Sequence, residues 1–236
     1  MASVRAIAQC IGAGTGNLSV LRDLFGFLRG RVPEDPAAGT TAQVRLLDYV
    51  RSAQGDHVNL NVIRVGIDLF SAGEVDDIDY AVYKARNIYR TRNLGVARVD
   101  HWNVSSTESD GLHIIASQDD AEELTEDWTV DNDGIDVFIP HSITAAFVGL
   151  SPVGGPCDKD AKGMNGAVAD KVRGPERTAR TFAHEVGHYL GLGHRNNDPT
   201  NLMAQTSVAS SVRNSVLLTG GQGTTIRGHC SVDDGC

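Results

Sequence analysis

The residues best placed to do chemistry lie between Phe182 and Met203. His184 and His188 are four apart, so on a helix they stand one turn above the other on the same face. Two imidazoles so placed can reach one metal ion together. Glu185 follows the first of them, which puts its carboxylate beside such an ion rather than on it. Gly191 can take the positive φ that ends a helix and turns the chain sharply. That turn lets His194 swing back as a third ligand. Three neutral nitrogens with an open fourth position describe a catalytic zinc site rather than a closed structural one.

The full spacing is H-E-x-x-H, a glycine three residues on, and a third histidine three further: His184, Glu185, His188, Gly191 and His194, with Met203 downstream. This pattern resembles the metzincin clan of zinc endopeptidases. The resemblance implies one catalytic Zn2+ held by His184, His188 and His194, with Glu185 as general base and Met203 as the Met-turn beneath the metal. It also implies protein or peptide substrates and an α+β fold. In that fold, a twisted mixed β-sheet and two long helices make an upper subdomain (residues 56–194). A small irregular lower subdomain (195–236) ends in a helix. Arg195 follows the third histidine, and no tyrosine occurs after Tyr189, so the tyrosine of astacin-like and serralysin-like members is absent. The resemblance is to a matrixin-like or reprolysin-like branch. Two other readings use the same residues: a non-enzymatic zinc-bound module that holds a peptide, and a hydrolase of small amides.

The chain has 236 residues, 41% of them hydrophobic, enough for one catalytic domain and a short extension. A formal net charge of -9 argues against a nucleic-acid partner. No apolar run approaches a membrane span, and Met1 to Cys10 contains no long apolar core of the kind a signal peptide needs. A monomer acting on peptide is expected. Of the four cysteines, Cys10, Cys157, Cys230 and Cys236, none lies in a C-x-x-C pattern. One or two disulfides near the C-terminus are expected, with Cys157 and Cys230 the favoured pair, and they would suit a secreted or extracellular protein.

The elements that must position the site read as follows. Residues 1–55 form an extension or pro-segment with short helices at 18–29 and 44–50, broken by Pro33, Pro36 and Gly39. Cys10 could cap the zinc from there as a thiolate. The run from Gly12 to Asn17 lacks the last glycine of a nucleotide loop and reads as a turn. Val58, Leu60 and Val62 alternate as a strand, with Ile63, Val65 and Ile67 on the other face. Ser71 and Glu74 can box the start of a helix whose stripe is Ile78, Ala81, Val82, Ala85, Ile88 and Tyr89. Arg90, Arg92 and Gly95 suit its exit. Strands follow at 96–102, 112–116, 135–139, 145–150 and 167–169. Residues 119–136 are acidic and read as a solvated loop; the oxygens at 131–136 could alternatively hold Ca2+. In the family an antiparallel edge strand pairs with extended substrate, and by position that is 145–150, with Ala146, Phe147, Val148 and Gly149 as substrate-binding residues. Val216, Leu217 and Leu218 either wall a substrate pocket or fill the core. Thr219 and Gln222 can cap a last helix. The remaining histidines, His57, His101, His113, His141 and His229, have no convincing ligand spacing. Asn17 and Asn103 begin glycosylation sequons.

Overall fold

A strand buried on both faces must lie inside a sheet that is covered on both sides. Strand β1 (His57–Val65) is of this kind: every residue after His57 is buried. The structure, a computed structural model, describes residues 55–172, 174–211 and 214–234. In it β1 pairs in parallel with β2 (Gly95–Val104) on one side and with β4 (Ile135–Pro140) on the other. β4 pairs in parallel with β7 (Gly166–Ala169), and β6 (Gly149–Leu150) closes that edge antiparallel to β7. The five-stranded order is β2-β1-β4-β7-β6.

Parallel neighbours need a crossover, and helix α1 (Ala72–Arg90) supplies it between β1 and β2. Its start is the expected capping box: the Glu74 amide donates to Ser71 Oγ at 3.3 Å, and the Ser71 amide donates to Glu74 Oε2 at 2.7 Å. Its exit is made by Asn93, at φ 57°, whereas Gly95 is already the first residue of β2. The expected stripe, Ile78 to Tyr89, is buried. It packs with Val58, Leu60 and Val62 of β1 and with the apolar side of helix α3 (Pro175–Tyr189).

The acidic stretch departs from expectation. Residues 118–127 are not a loop but helix α2 (Gln118–Asp127). Ser117 and Asp120 form its capping box, and Asp119 and Asp120 lie in the first turn, where the helix dipole favours negative charge. Its buried stripe is only Ala121, Leu124 and Thr125, so the charge around it conceals the helical period. That stripe joins Ile63, Val65, Phe138 and Val168 in a second core on the sheet face opposite α1 and α3. The architecture is therefore three layers, with two helices on one face and a third on the other.

Two strands are shorter than the sequence suggests. The stretch 112–116 yields β3 (Ile114–Ile115), which pairs with β5 (Ser142–Ile143) in a separate parallel two-stranded sheet. The stretch 145–150 contracts to β6; residues 144–148 bend instead, because the Thr144 and Ala145 amides donate to the Ile115 carbonyl at 2.8 and 3.3 Å. The last helix, α4 (Gly220–Arg227), is capped by Thr219 and Gln222 as expected. Cys157 and Cys230 form a disulfide with Cα atoms 5.9 Å apart. The expectations for residues 1–54, Cys10 among them, and for Cys236 lie outside the described residues.

Asp136, fully buried on β4, accepts hydrogen bonds from Asn61 Nδ2 (2.7 Å) and the Val130 amide (3.1 Å) and pairs with Lys159 Nζ at 2.7 Å. Lys159 also donates to the Gly134 carbonyl at 2.6 Å. Two of the oxygens considered for calcium, the Asp136 carboxylate and the Gly134 carbonyl, thus contact an ammonium group. Burial raises the Asp136 pKa and Lys159 opposes that rise. Lys159→Met should lower unfolding free energy by about 3 kcal/mol at neutral pH, because a buried charge loses its partner. The carboxyl would rise further in the folded variant alone, so the deficit should shrink as pH falls towards 4; urea denaturation at pH 4.5 and 7.5 measures both.

Candidate active site

Helix α3 begins with Pro175 at its first position, where a missing N–H costs nothing. Every residue from Thr178 to Tyr189 is buried, ligands and apolar side chains alike. Leu190 ends the helix, and Gly191 follows at φ 94°. The Gly191 amide donates to the His188 carbonyl at 2.8 Å, and the Leu192 amide to the Gly187 carbonyl at 2.9 Å. This is a Schellman turn, and it reverses the chain as the glycine spacing predicts. The Arg195 amide then donates to the Met203 carbonyl at 2.8 Å, which ties the returning segment, and His194 with it, to the Met203 turn.

The three imidazoles converge. His188 Nε2 lies 3.1 Å from His184 Nε2 and 3.2 Å from His194 Nε2. The protons are accounted for by the backbone: His184 Nδ1 is 2.8 Å from the Leu202 carbonyl and His188 Nδ1 is 2.6 Å from the Leu192 carbonyl. A carbonyl only accepts, so both Nδ1 atoms carry hydrogen, and both Nε2 atoms present bare lone pairs. Two lone pairs facing each other at 3.1 Å repel unless a cation lies between them. Tetrahedral zinc at 2.0–2.1 Å from each nitrogen would set its ligands about 3.3 Å apart. The donor set fits that ion. Among the described residues, no other cluster of three or more His, Cys, Asp or Glu side chains converges this way. Desolvation holds His184 down to about 3 and also lowers His188, so burial favours the neutral, ligating form of both rings.

Glu185 is buried beside the triad, and burial pushes its carboxyl up to about 8, with Arg180 opposing. Gly149 of β6 lies directly against it: a Cβ there would stand 2.6 Å from Glu185 Cδ. The open edge strand therefore passes over the carboxylate, at contact distance. On the other side of the helix, Gly187 leaves room for Met203, whose Sδ would be 2.9 Å from a Cβ at that position. Met203 is fully buried, and its amide donates to Asn201 Oδ1 at 2.9 Å.

The family model described as metallo-peptidase family M12, of the reprolysin type, matches residues 49–227. The chain belongs to metallo-peptidase family M12. Curated relatives include human disintegrin and metalloproteinase domain-containing protein 33, 34% identical over 79 residues, which are 34% of this chain and 9% of that protein. The zinc metalloproteinase/disintegrin of Bitis gabonica is 29% identical over 140 residues, 59% of this chain and 34% of that one. The chain thus spans about a third or less of these relatives' length. Among solved structures, archaemetzincin from Methanopyrus kandleri superposes with a TM-score of 0.51 at 16% identity, covering 72% of this chain and 94% of that one. Metalloproteinase-II from Bacteroides fragilis gives 0.50 at 13% identity, covering 73% and 52%. These share the metzincin-like fold expected from the motif. Membership of M12 and the three-histidine group together support zinc as the ion.

Other expected residues of this M12 chain are placed less simply. Ala146 and Val148 are exposed, and Phe147 packs into the second core. Leu218 is core, whereas Val216 and Leu217 line a cavity of about 210 Å³ between α1 and α3 that includes none of the triad and not Glu185. Three features went unread in the sequence. Gln222, already the box residue of α4, exchanges amide hydrogen bonds with buried Asn201 (2.9 and 3.0 Å), welding the last helix to the Met203 turn. The Gly154 and Gly155 amides cap the His188 and Tyr189 carbonyls at 2.9 and 2.7 Å, and Tyr189 Oη donates to the Pro156 carbonyl at 2.8 Å. Arg180, four residues before His184 on the same helical stripe, is buried against backbone carbonyls. That spacing was the available signal for it.

The raised Glu185 carboxyl has a consequence for the metal-free protein. Below pH 4.5 the group is neutral folded or unfolded; between 4.5 and about 8 only the unfolded chain ionises, so folding stability falls as pH rises. Glu185→Gln escapes this. With chelator present its thermal midpoint should exceed the parent's at pH 8 and approach it at pH 4.5.

Proposed function

We propose that this chain is a zinc endopeptidase, with His184, His188 and His194 as ligands and Glu185 as general base. The observation that carries the reading is the pair of facing Nε2 lone pairs at 3.1 Å, fixed by two Nδ1–H donors to backbone carbonyls, with a carboxylate alongside. Zinc bound there supplies Lewis acidity, drawing the pKa of water towards neutrality and polarising a carbonyl oxygen. The protein's own groups do the rest. Glu185 accepts the proton of the attacking water and returns it to the departing amine. Its burial keeps bulk water from competing for that proton. Met203, packed beneath Gly187, forms the floor and takes no part in proton transfer.

The substrate reading follows from the sheet edge. β6 is antiparallel to β7 and, among the described residues, has no partner on its other side, and Gly149 brings its backbone against Glu185. An extended peptide added to that edge would lie across the site and present a carbonyl to it. Val148 is 41% exposed and, with Ala146 and Gly149, would meet that peptide; Phe147 acts by anchoring the segment to the second core. The Cys157–Cys230 disulfide suits an oxidising compartment, so we place the protein outside the cytosol.

The test is a peptide-library cleavage screen with and without a zinc chelator. Cleavage should be internal, chelator-sensitive and restored by Zn2+. Glu185→Gln should retain one zinc by metal analysis and lose about 10²–10⁴-fold in kcat. A zinc-bound protein that cleaves no peptide would favour a binding module, and normal cleavage by Glu185→Gln would remove the glutamate from its role.

A further inference from the structure

Arg180 is 4% exposed, and two of its three nitrogens, Nε and Nη2, donate to backbone oxygen. Nε donates to the Ser215 carbonyl at 3.0 Å; Nη2 donates to the Leu202 carbonyl at 3.1 Å and also to the Ala204 carbonyl. No carboxylate of the described residues hydrogen-bonds to it, although Glu185 lies close enough to attract its charge. A guanidinium stripped of water without a salt bridge is costly, so its forked geometry must secure something a neutral side chain cannot.

What it secures is visible at Leu202. That carbonyl receives two donors, Arg180 Nη2 and His184 Nδ1, the latter at 2.8 Å. The two ligand histidines of the helix differ in this respect. His188 bonds to the Leu192 carbonyl, four residues on, inside the turn that ends its own helix. Its acceptor is held in place by local chain geometry. His184 depends on a carbonyl eighteen residues on, in the segment that carries Met203. The amide side of that peptide, Met203 N–H, donates to Asn201 Oδ1 at 2.9 Å. Arg180 fixes it from the helix side, gripping the carbonyls of residues 202, 204 and 215 at once, one helical turn before His184.

We propose that Arg180 is a positioning residue for the metal: it locks the Leu202 carbonyl so that the His184 ring keeps its Nε2 lone pair on the ion. This rests on the zinc reading above and adds to it the device that holds one ligand. Arg180 touches neither ion nor substrate and acts through Leu202 and His184. The imidazole would otherwise be free to rotate about its Cβ–Cγ bond with the carbonyl it follows.

The test uses the whole chain, with zinc affinity measured by competition against chelators of known strength and ligand geometry read from the visible spectrum of the Co2+-loaded protein. Arg180→Met keeps the stem and removes the donors; Arg180→Lys keeps the charge but not the fork. Arg92→Met is the control, because Arg92 Nε donates at 2.6 Å to the Leu218 carbonyl of the same lower segment and touches no histidine. Arg180→Met should lose about 10–100-fold in zinc affinity and alter the Co2+ spectrum, as removal of a partner behind a ligand does. Arg180→Lys should fall between it and the parent. Arg92→Met should match the parent in both readouts, even where its metal-free thermal midpoint drops. Parental affinity and spectrum in Arg180→Met, or in Arg180→Lys should the first variant not fold, would overturn the proposal. So would an equal loss of affinity in Arg92→Met, which would mark general loosening of the segment. A parent chain that binds no zinc would instead overturn the function proposed above.

Discussion

Two backbone carbonyls, Leu202 and Leu192, decide what the site can be. Each takes the proton-bearing Nδ1 of a ligand histidine and so leaves Nε2 bare. Had those carbonyls pointed elsewhere, the imidazoles could have shared a proton and made an ordinary buried hydrogen bond. With both protons committed outward, the 3.1 Å approach of the two nitrogens makes sense only around a cation. Most of the surrounding structure can be understood as holding those two carbonyls still. The Schellman turn after Leu190 holds one. The Met203 turn, bracketed by Asn201, Gln222 and Arg180, holds the other.

Close packing by glycine sets the remaining geometry. Gly149 lets an edge strand touch the Glu185 side chain, and Gly187 lets a methionine lie against the helix. In a helix interior, glycine costs roughly 1 kcal/mol relative to alanine, so Gly187 reflects what packs against it rather than any helical preference. Gly155 plays the same part at the helix end: a Cβ there would stand 2.5 Å from Tyr189 Cζ, and its amide caps the Tyr189 carbonyl. The disulfide between Cys157 and Cys230 then ties this capping loop to the chain just beyond α4. Helix α3 is thereby secured at its C-terminus, along its lower face and over Glu185.

Burial makes the site costly. Desolvation drives His184 and Glu185 in opposite directions, towards neutral imidazole and neutral acid. A divalent ion bound at the three histidines would oppose the second tendency by favouring the Glu185 carboxylate. Elsewhere the fold settles buried charge internally, as Lys159 does for Asp136. The contrast separates a structural pair, complete in itself, from a site whose charges call for a ligand.

The convergence of the three histidines was legible in the sequence because it is local. His184, Glu185 and His188 share one helix, Gly191 permits one turn, and His194 lies within reach, so spacing alone predicts convergence. Strand β1, helix α1 and both capping boxes at Ser71 and Thr219 were legible for the same reason, being set by side chains two to four residues apart. What failed to show were features whose partners are distant. The stripe of α2 is three residues wide among carboxylates, and the second core it packs into comes from strands distant in sequence. β6 shrank because the Ile115 carbonyl captures the Thr144 and Ala145 amides, a contact no local pattern encodes. Arg180 and Asn201 looked like ordinary polar residues, and Gln222 like a helix cap alone, until the fold closed. Local periodicity is written along the chain; the choice of which carbonyl meets which donor is made only when segments tens of residues apart pack together, and that choice oriented the histidines.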